Sequence, residues 1–237
     1  MASASDASAN GILSVLPSEV LARLQPHLTP ISLSLGKSVY EAGAAMSHLY
    51  FVTSGIISLL QVMKDGASAE IAVVGSEGVV GISMFMGGHS TPSRAVVQSA
   101  AEVLRLPADV LADEFRRAGA LQQVLLRFTQ ALITQMMQTA VCNRHHSVEQ
   151  QLCRWLLLSL DRLPSDKLVM TQELIANMLG VHRGGVTEAA RKLQDAKLIR
   201  YARGHIRVLD RDKLERRVCE CYALVKSETD RLSQMSV

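Results

Sequence analysis

At 237 residues the chain is long enough for about one to two domains, each with its own core. Hydrophobic residues make up 48% and charged residues 20%, which excludes a disordered or fibrous chain, and only 4% aromatics argue against a base-stacking platform. The net charge is only +3, but it is unevenly placed: residues 1–140 carry 8 basic and 10 acidic side chains, residues 141–237 carry 17 and 12. A neutral-to-acidic half followed by a basic half points to a C-terminal module that meets a polyanion, with an ordinary solvated face as the alternative.

Four cysteines, at 142, 153, 219 and 221, are too few for a disulfide framework in a chain this long. No run approaches the ~20 apolar residues of a membrane span. The N-terminus has no Arg or Lys before Arg23 and contains Asp6, so it does not read as a secretory signal. The expectation is a soluble cytoplasmic protein without a membrane partner.

Residues 1–11 read as a disordered tail. A short helix is expected over 12–25, with Ser18 capping it behind Pro17. From 12 to 106 we expect a sensor-type domain. Short Val-, Ile- and Leu-rich runs between glycines predict a small β-barrel or sandwich, and Lys64-Asp65-Gly66 predicts a hairpin turn. Glycines then nearly vanish, and Pro107 opens a long central helix expected over 107–140. Phe115, Ala118, Leu121, Leu125, Phe128, Leu132 and Met136 recur every three or four residues. That seam fits either a second copy of the helix or the chain's own barrel. A further amphipathic helix is expected over 148–162, ended by Pro164.

Residues 171–194 have the layout of a helix-turn-helix. Thr171 caps a first helix whose apolar face is Leu174, Ile175, Met178 and Leu179. Gly180 supplies the turn and Val181 packs inward. A second helix from about Arg183 to Gln194 buries Val186, Ala189, Ala190 and Leu193, leaving Arg183, Gly184, Thr187, Glu188 and Arg191 outward. Such a helix fits the major groove of duplex DNA. Residues 198–201 and 205–208 then alternate around a turn at Ala202-Arg203-Gly204, predicting a two-stranded wing with Arg200, Arg203 and Arg207 for phosphates.

The whole arrangement, over about 12–209, resembles the Crp–Fnr superfamily of bacterial transcription regulators. SLGKSVYEAGAAMSHLYFVTSGIISLLQ resembles the first half of the family's cyclic-nucleotide-binding barrel. GSEGVVGISMFMGG and SRAVVQSAAEVLRL stand where the family has its phosphate-binding cassette and closing strands. TQELIANMLGVHRGGVTEAARKLQDAKLI resembles its DNA-binding helices. The resemblance implies an α+β chain with an N-terminal cyclic-nucleotide-binding-type β-barrel of jelly-roll type, a dimerisation helix, and a winged helix-turn-helix domain over 141–237. It implies a homodimer joined through residues 110–138, a palindromic duplex operator, and RNA polymerase as a partner in activation, although no residue marks that contact. It implies base readout by Arg183, Gly184, Thr187 and Glu188. Thr171, Gln172, His182, Gly185, Arg191, Arg200 and Arg203 are the implied phosphate contacts.

The sensor site departs from the cyclic-AMP binders, and its candidate residues are Gly81, Ile82, Ser83, Ser93, Arg94, Met136 and Met137. The cassette's Gly-Glu is Gly81-Ile82 in this chain, the Arg-Ser pair is reversed as Ser93-Arg94, and Met136-Met137 replace two hydroxyl residues that meet adenine. Conventional cyclic-AMP binding is therefore not expected, and the effector, if one exists, is an unknown small molecule. The recognition helix departs as well: Gly184 replaces an acidic residue that accepts from cytosine, and Glu188 replaces a basic one.

No cofactor or metal is expected. No cysteine stands before Cys142, so an N-terminal iron–sulfur cluster is excluded. Cys219 and Cys221 supply two ligands, which do not complete a site, and read as buried thiols in a C-terminal helix over 212–231. His145-His146 reads as an exposed bend. There is no nucleophile elbow or P-loop, so an enzyme is not expected. The remaining rival is a ligand-binding signalling module without DNA function.

Overall fold

The computed structural model describes residues 4–234. The expected disordered tail is ordered from Ala4 on; residues 1–3 lie outside the described residues. Helices α1 (Ala4–Ser8) and α2 (Gly11–Ser14) are short, and Asn10 fixes them. Its Oδ1 caps α2 by accepting from Ile12 N and Leu13 N. Its buried amide donates to Val52 O and Gly78 O of the barrel. The expected helix over 12–25 is thus two: α2, then α3 (Ser18–Leu24). Pro17 holds the N-cap position, and Ser18 is the first helical residue rather than a cap.

The barrel has strands β1 (Thr29–Leu33), β2 (Ser38–Tyr40), β3 (His48–Val62), β4 (Ser68–Val74), β5 (Val79–Val80) and β6 (Ser93–Pro107). The sheet runs β1-β6-β3-β4, with β2 on β6 and β5 on β3. Each pairing is antiparallel. β3 and β6, both 15 residues long, are its spine. At Gly55 the φ is +80° and a Cβ would sit 2.3 Å from Ala100 O, so the register shift there requires glycine. The Lys64-Asp65-Gly66 turn forms as expected: Met63 N donates to Ala67 O at 2.8 Å.

The expected single helix over 107–140 is two. α4 (Ala108–Arg116) stops at Ala118, in the left-handed region with φ 54°, and Gly119; α5 (Ala120–His145) follows. The seam resolves in favour of the chain's own barrel. Leu121, Leu125 and Leu132 are buried, and Phe128 and Met136 pack beside them. A different stripe of α5 faces solvent: Leu126, Ile133, Met137 and Val141.

A Ser147–Gln150 capping box starts α6 (Val148–Leu160), which is buried nearly all round. It forms the core of the C-terminal domain with β7 (Lys167–Val169), α7 (Gln172–Leu179), α8 (Arg183–Asp195), β8 (Ile199–Ala202) and β9 (His205–Val208). The wing has three strands, not two, because β7 pairs with β9. The expected helix over 212–231 breaks at Val218-Cys219 into α9 (Arg211–Arg217) and α10 (Glu220–Ser233). α10 runs back against α5. The two halves of the chain also meet directly: Arg162, below α6, pairs with Glu77 of the barrel at 2.7 Å. Among the described residues no helix is long and apolar enough to cross a membrane.

Candidate nucleic-acid interface and effector cavity

Thr171 Oγ1 accepts from Leu174 N at 3.2 Å and starts α7. Gly180, at φ +66°, ends it in the left-handed conformation, and any side chain there would press on Ala69 of β4. Ile175, Ala176, Met178 and Leu179 are buried; Leu174, expected on that face, is exposed. Val186, Ala189, Ala190 and Leu193 bury the inner side of α8.

The outer side of α8 is open. Arg183, Gly184, Thr187, Glu188 and Arg191 are all exposed, and Gly185 is half-buried over Val148. Arg183 Nε lies 3.9 Å from Glu173, a loose and exposed ion pair. Thr187 Oγ1 lies 2.7 Å from Gln172 Oε1 and 3.0 Å from Arg183 O, so its single proton is used within the protein. Glu188 pairs with Lys192 at 2.9 Å, and that hydrogen bond holds its carboxyl below the usual range. It is an ionised acceptor. Arg191 pairs with Asp195 at 3.2 Å.

His182 and Thr171 are exposed around the two helix starts, and Gln172 is half-buried between them. On the wing Arg200 and Arg203 are exposed, with Arg203 at the tip (φ 50°). Arg207 is drawn away to Asp166 at 2.7 Å. One surface therefore combines a helix face of mixed donors and acceptors with flanking cations, the division of labour of a groove-reading helix and its phosphate contacts.

The barrel and Met136 of α5 line a half-open cavity of about 210 Å³. Ile82, Ser83, Ser93 and Met136 line it, joined by Tyr40, Gln61 and Thr91, which the sequence did not mark. Gly81, at φ +111°, turns the chain into it. Two expected residues are elsewhere. Arg94 pairs with Glu41 at 3.1 Å, and Met137 is 59% exposed on the outer face of α5. The lining holds hydroxyls, an amide and apolar groups, with no Arg or Lys.

Two family models match the chain: a cyclic nucleotide-binding domain over residues 30–118 and a Crp-like helix-turn-helix domain over 150–217. Together they span the barrel and the winged domain just described. The chain belongs to the Crp–Fnr superfamily of transcription regulators. No curated protein sequence matches this regulator. Among solved structures, a chain from Eubacterium rectale assigned to the Crp/Fnr family is similar at TM-score 0.71 and 18% identity, covering 88% of this chain and 98% of that one. FixK2 from Bradyrhizobium japonicum is similar at TM-score 0.66 and 16% identity, with 81% and 98% covered. The c-di-GMP-responsive regulator CLP of Xanthomonas campestris follows at 0.63 and 16%, with 82% and 100% covered. At these identities the structural likeness establishes the fold of this Crp–Fnr regulator alone.

Proposed function

We propose that this regulator binds a two-fold symmetric duplex operator as a homodimer. The observation that carries the reading is the solvent-facing start of α8 beside a cationic wing. Arg183 is the bidentate donor for a guanine edge, Glu188 the acceptor for a cytosine amine, and the Thr187 methyl the contact for a thymine methyl. Gly184 leaves the backbone bare at the point of closest approach. Thr171, Gln172, His182, Gly185, Arg191, Arg200 and Arg203 hold phosphates around that helix. The second copy docks on the exposed Leu126–Val141 stripe of α5, which extends the interface beyond the 110–138 range of the sequence reading.

The cavity is not a conventional cyclic-AMP site, because no cation in its lining faces a cyclic phosphate. A small, uncharged molecule suits its hydroxyls. The experiment is an in vitro selection of purified protein on a random duplex library, with and without cyclic nucleotides. Enrichment of one two-fold symmetric motif in both arms supports the whole reading. Enrichment only with cyclic AMP overturns the cavity assignment. No enrichment in either arm overturns operator binding and leaves a signalling module.

A further inference from the structure

Cys142 lies in the last turn of α5, and His146 is the extended residue that caps the end of that helix. Cys219 occupies the N-cap position of α10 and Cys221 its first turn. The fold brings these two segments, more than seventy residues apart, into one cluster. Three sulfurs and the His146 ring nitrogen lie within 4.8 Å of one another. Cys142, Cys219 and Cys221 are buried, and none is in a disulfide. Cys142 Sγ and Cys219 Sγ are 3.6 Å apart; Cys221 Sγ and His146 Nδ1 are 3.4 Å apart.

A tetrahedral zinc ion, with Zn–S about 2.3 Å and Zn–N about 2.0–2.1 Å, has S–S edges of about 3.8 Å and S–N edges of about 3.6 Å. The Cys142–Cys219 and Cys221–His146 edges of this cluster fall within about 0.2 Å of those values. The outer partners are also in place. His146 Nε2 lies 3.4 Å from Glu220 Oε2, the carboxylate–histidine arrangement that orients a ligating imidazole. Gln138 Nε2 donates to Cys221 Sγ at 3.1 Å. Three thiolates around a dication leave one net negative charge. Arg154, buried in α6, donates one nitrogen to Thr139 of α5 and leaves its Nε unpartnered. The start of α10 adds the positive end of a helix.

We propose that Cys142, His146, Cys219 and Cys221 bind one zinc ion, which clamps the start of α10 to the end of α5. Softness of the three sulfurs selects zinc over hard cations. An iron–sulfur cluster spreads its cysteines over several irons, further apart than these. The histidine ligates through Nδ1, because Nε2 faces Glu220. Binding releases the thiol protons to solvent. The exposed His145 takes no part.

The test is the metal content of the full chain, purified under reducing conditions, followed by exchange into Co²⁺. One zinc per chain is expected, and the cobalt form shows thiolate charge-transfer bands with the intense visible bands of a tetrahedral site. Cys221→Ser and His146→Ala lose stoichiometric metal. Cys153→Ser, a buried thiol of α6 outside the cluster, keeps it. Glu220→Gln keeps the cobalt spectrum and weakens zinc about tenfold. A folded wild-type chain without zinc and without cobalt bands overturns the site. So does a Cys142–Cys219 disulfide found by mass spectrometry in the chain as isolated. Either result leaves the DNA-binding reading untouched.

Discussion

Gln98 on strand β6 donates its amide to the Ser159 hydroxyl of helix α6 at 3.0 Å, inside the interface between barrel and winged domain. Ser159 passes its own proton to Trp155 O at 2.9 Å. On the barrel side, Ser58 Oγ stands 2.6 Å from Glu70 Oε2 and 2.7 Å from Gln98 Oε1. Ser58 has a single proton for two acceptors. A protonated Glu70 resolves the conflict: it donates to Ser58, Ser58 donates to Gln98, and every member is satisfied. An ionised Glu70 competes with Gln98 for that proton.

Burial pushes the Glu70 carboxyl up to about 7, against the pull of Ser58 and of the Arg154 and Arg162 charges. Its folded value lies above the ordinary 4.5. The stabilisation is therefore complete below pH ~4.5 and is lost as pH rises through about 7, on the order of 3 kcal/mol in all. Urea unfolding at a series of pH values should show this fall in the wild type. Glu70→Gln, which keeps a donor for Ser58 at every pH, should flatten it. Equal slopes in the two proteins would refute the protonated bridge.

Much of this was legible in the chain. Periodicity and the Thr171 and Gly180 punctuation located α7 and α8, and the glycine-broken apolar runs located the barrel. What failed was long-range. The Leu121–Met136 seam reads equally as a dimer face or a barrel face, and only the folded barrel decides. The break at Ala118 has no strong local signal, since alanine seldom takes positive φ. Asn10 anchors the N-terminus through Val52 and Gly78, partners over forty residues away. The spacing Cys142-x3-His146 was the available signal for the cysteine cluster, but its other half comes from α10.

Arg183→Ala should cost about 1–3 kcal/mol of operator affinity and relax preference at one base pair. Competition between matched and singly mismatched duplexes measures both. Arg203→Ala should weaken all duplexes alike and reduce the slope of log affinity against log salt by about 1. Unchanged site preference for the Arg183 variant would remove its base-reading role; an unchanged salt slope would remove the wing-tip phosphate contact.

Gly184 offers a cleaner separation of folding from binding. A Cβ built there meets nothing within 4 Å, so alanine fits the free protein. Glycine within a helix costs about 1 kcal/mol relative to alanine. Gly184→Ala should therefore raise the melting temperature, and lower operator affinity because the new methyl stands between backbone and base edges. A variant that is more stable and binds as well as wild type would show that DNA does not approach this backbone closely.

The proposed dimer interface is testable because its residues are exposed and stand outside the monomer core. Ile133, Met137 and Val141 succeed one another at every fourth position of α5, with Leu126 seven before Ile133, and 42–59% of each is exposed. Repeating apolar residues on one helix face match a helix–helix contact between copies. Met137→Glu places a charge on that face without touching Leu121, Leu125 or Leu132 on the opposite, barrel-packed side. Light scattering coupled to size exclusion should read a dimer for wild type and a monomer for the variant. Monomer unfolding should change by less than about 0.5 kcal/mol, as for other exposed sites. The variant should lose the symmetric operator while keeping weak, salt-sensitive binding to any duplex, since each winged domain is intact. A wild type that is monomeric at concentrations where it still selects a two-fold motif would place the contact between copies elsewhere.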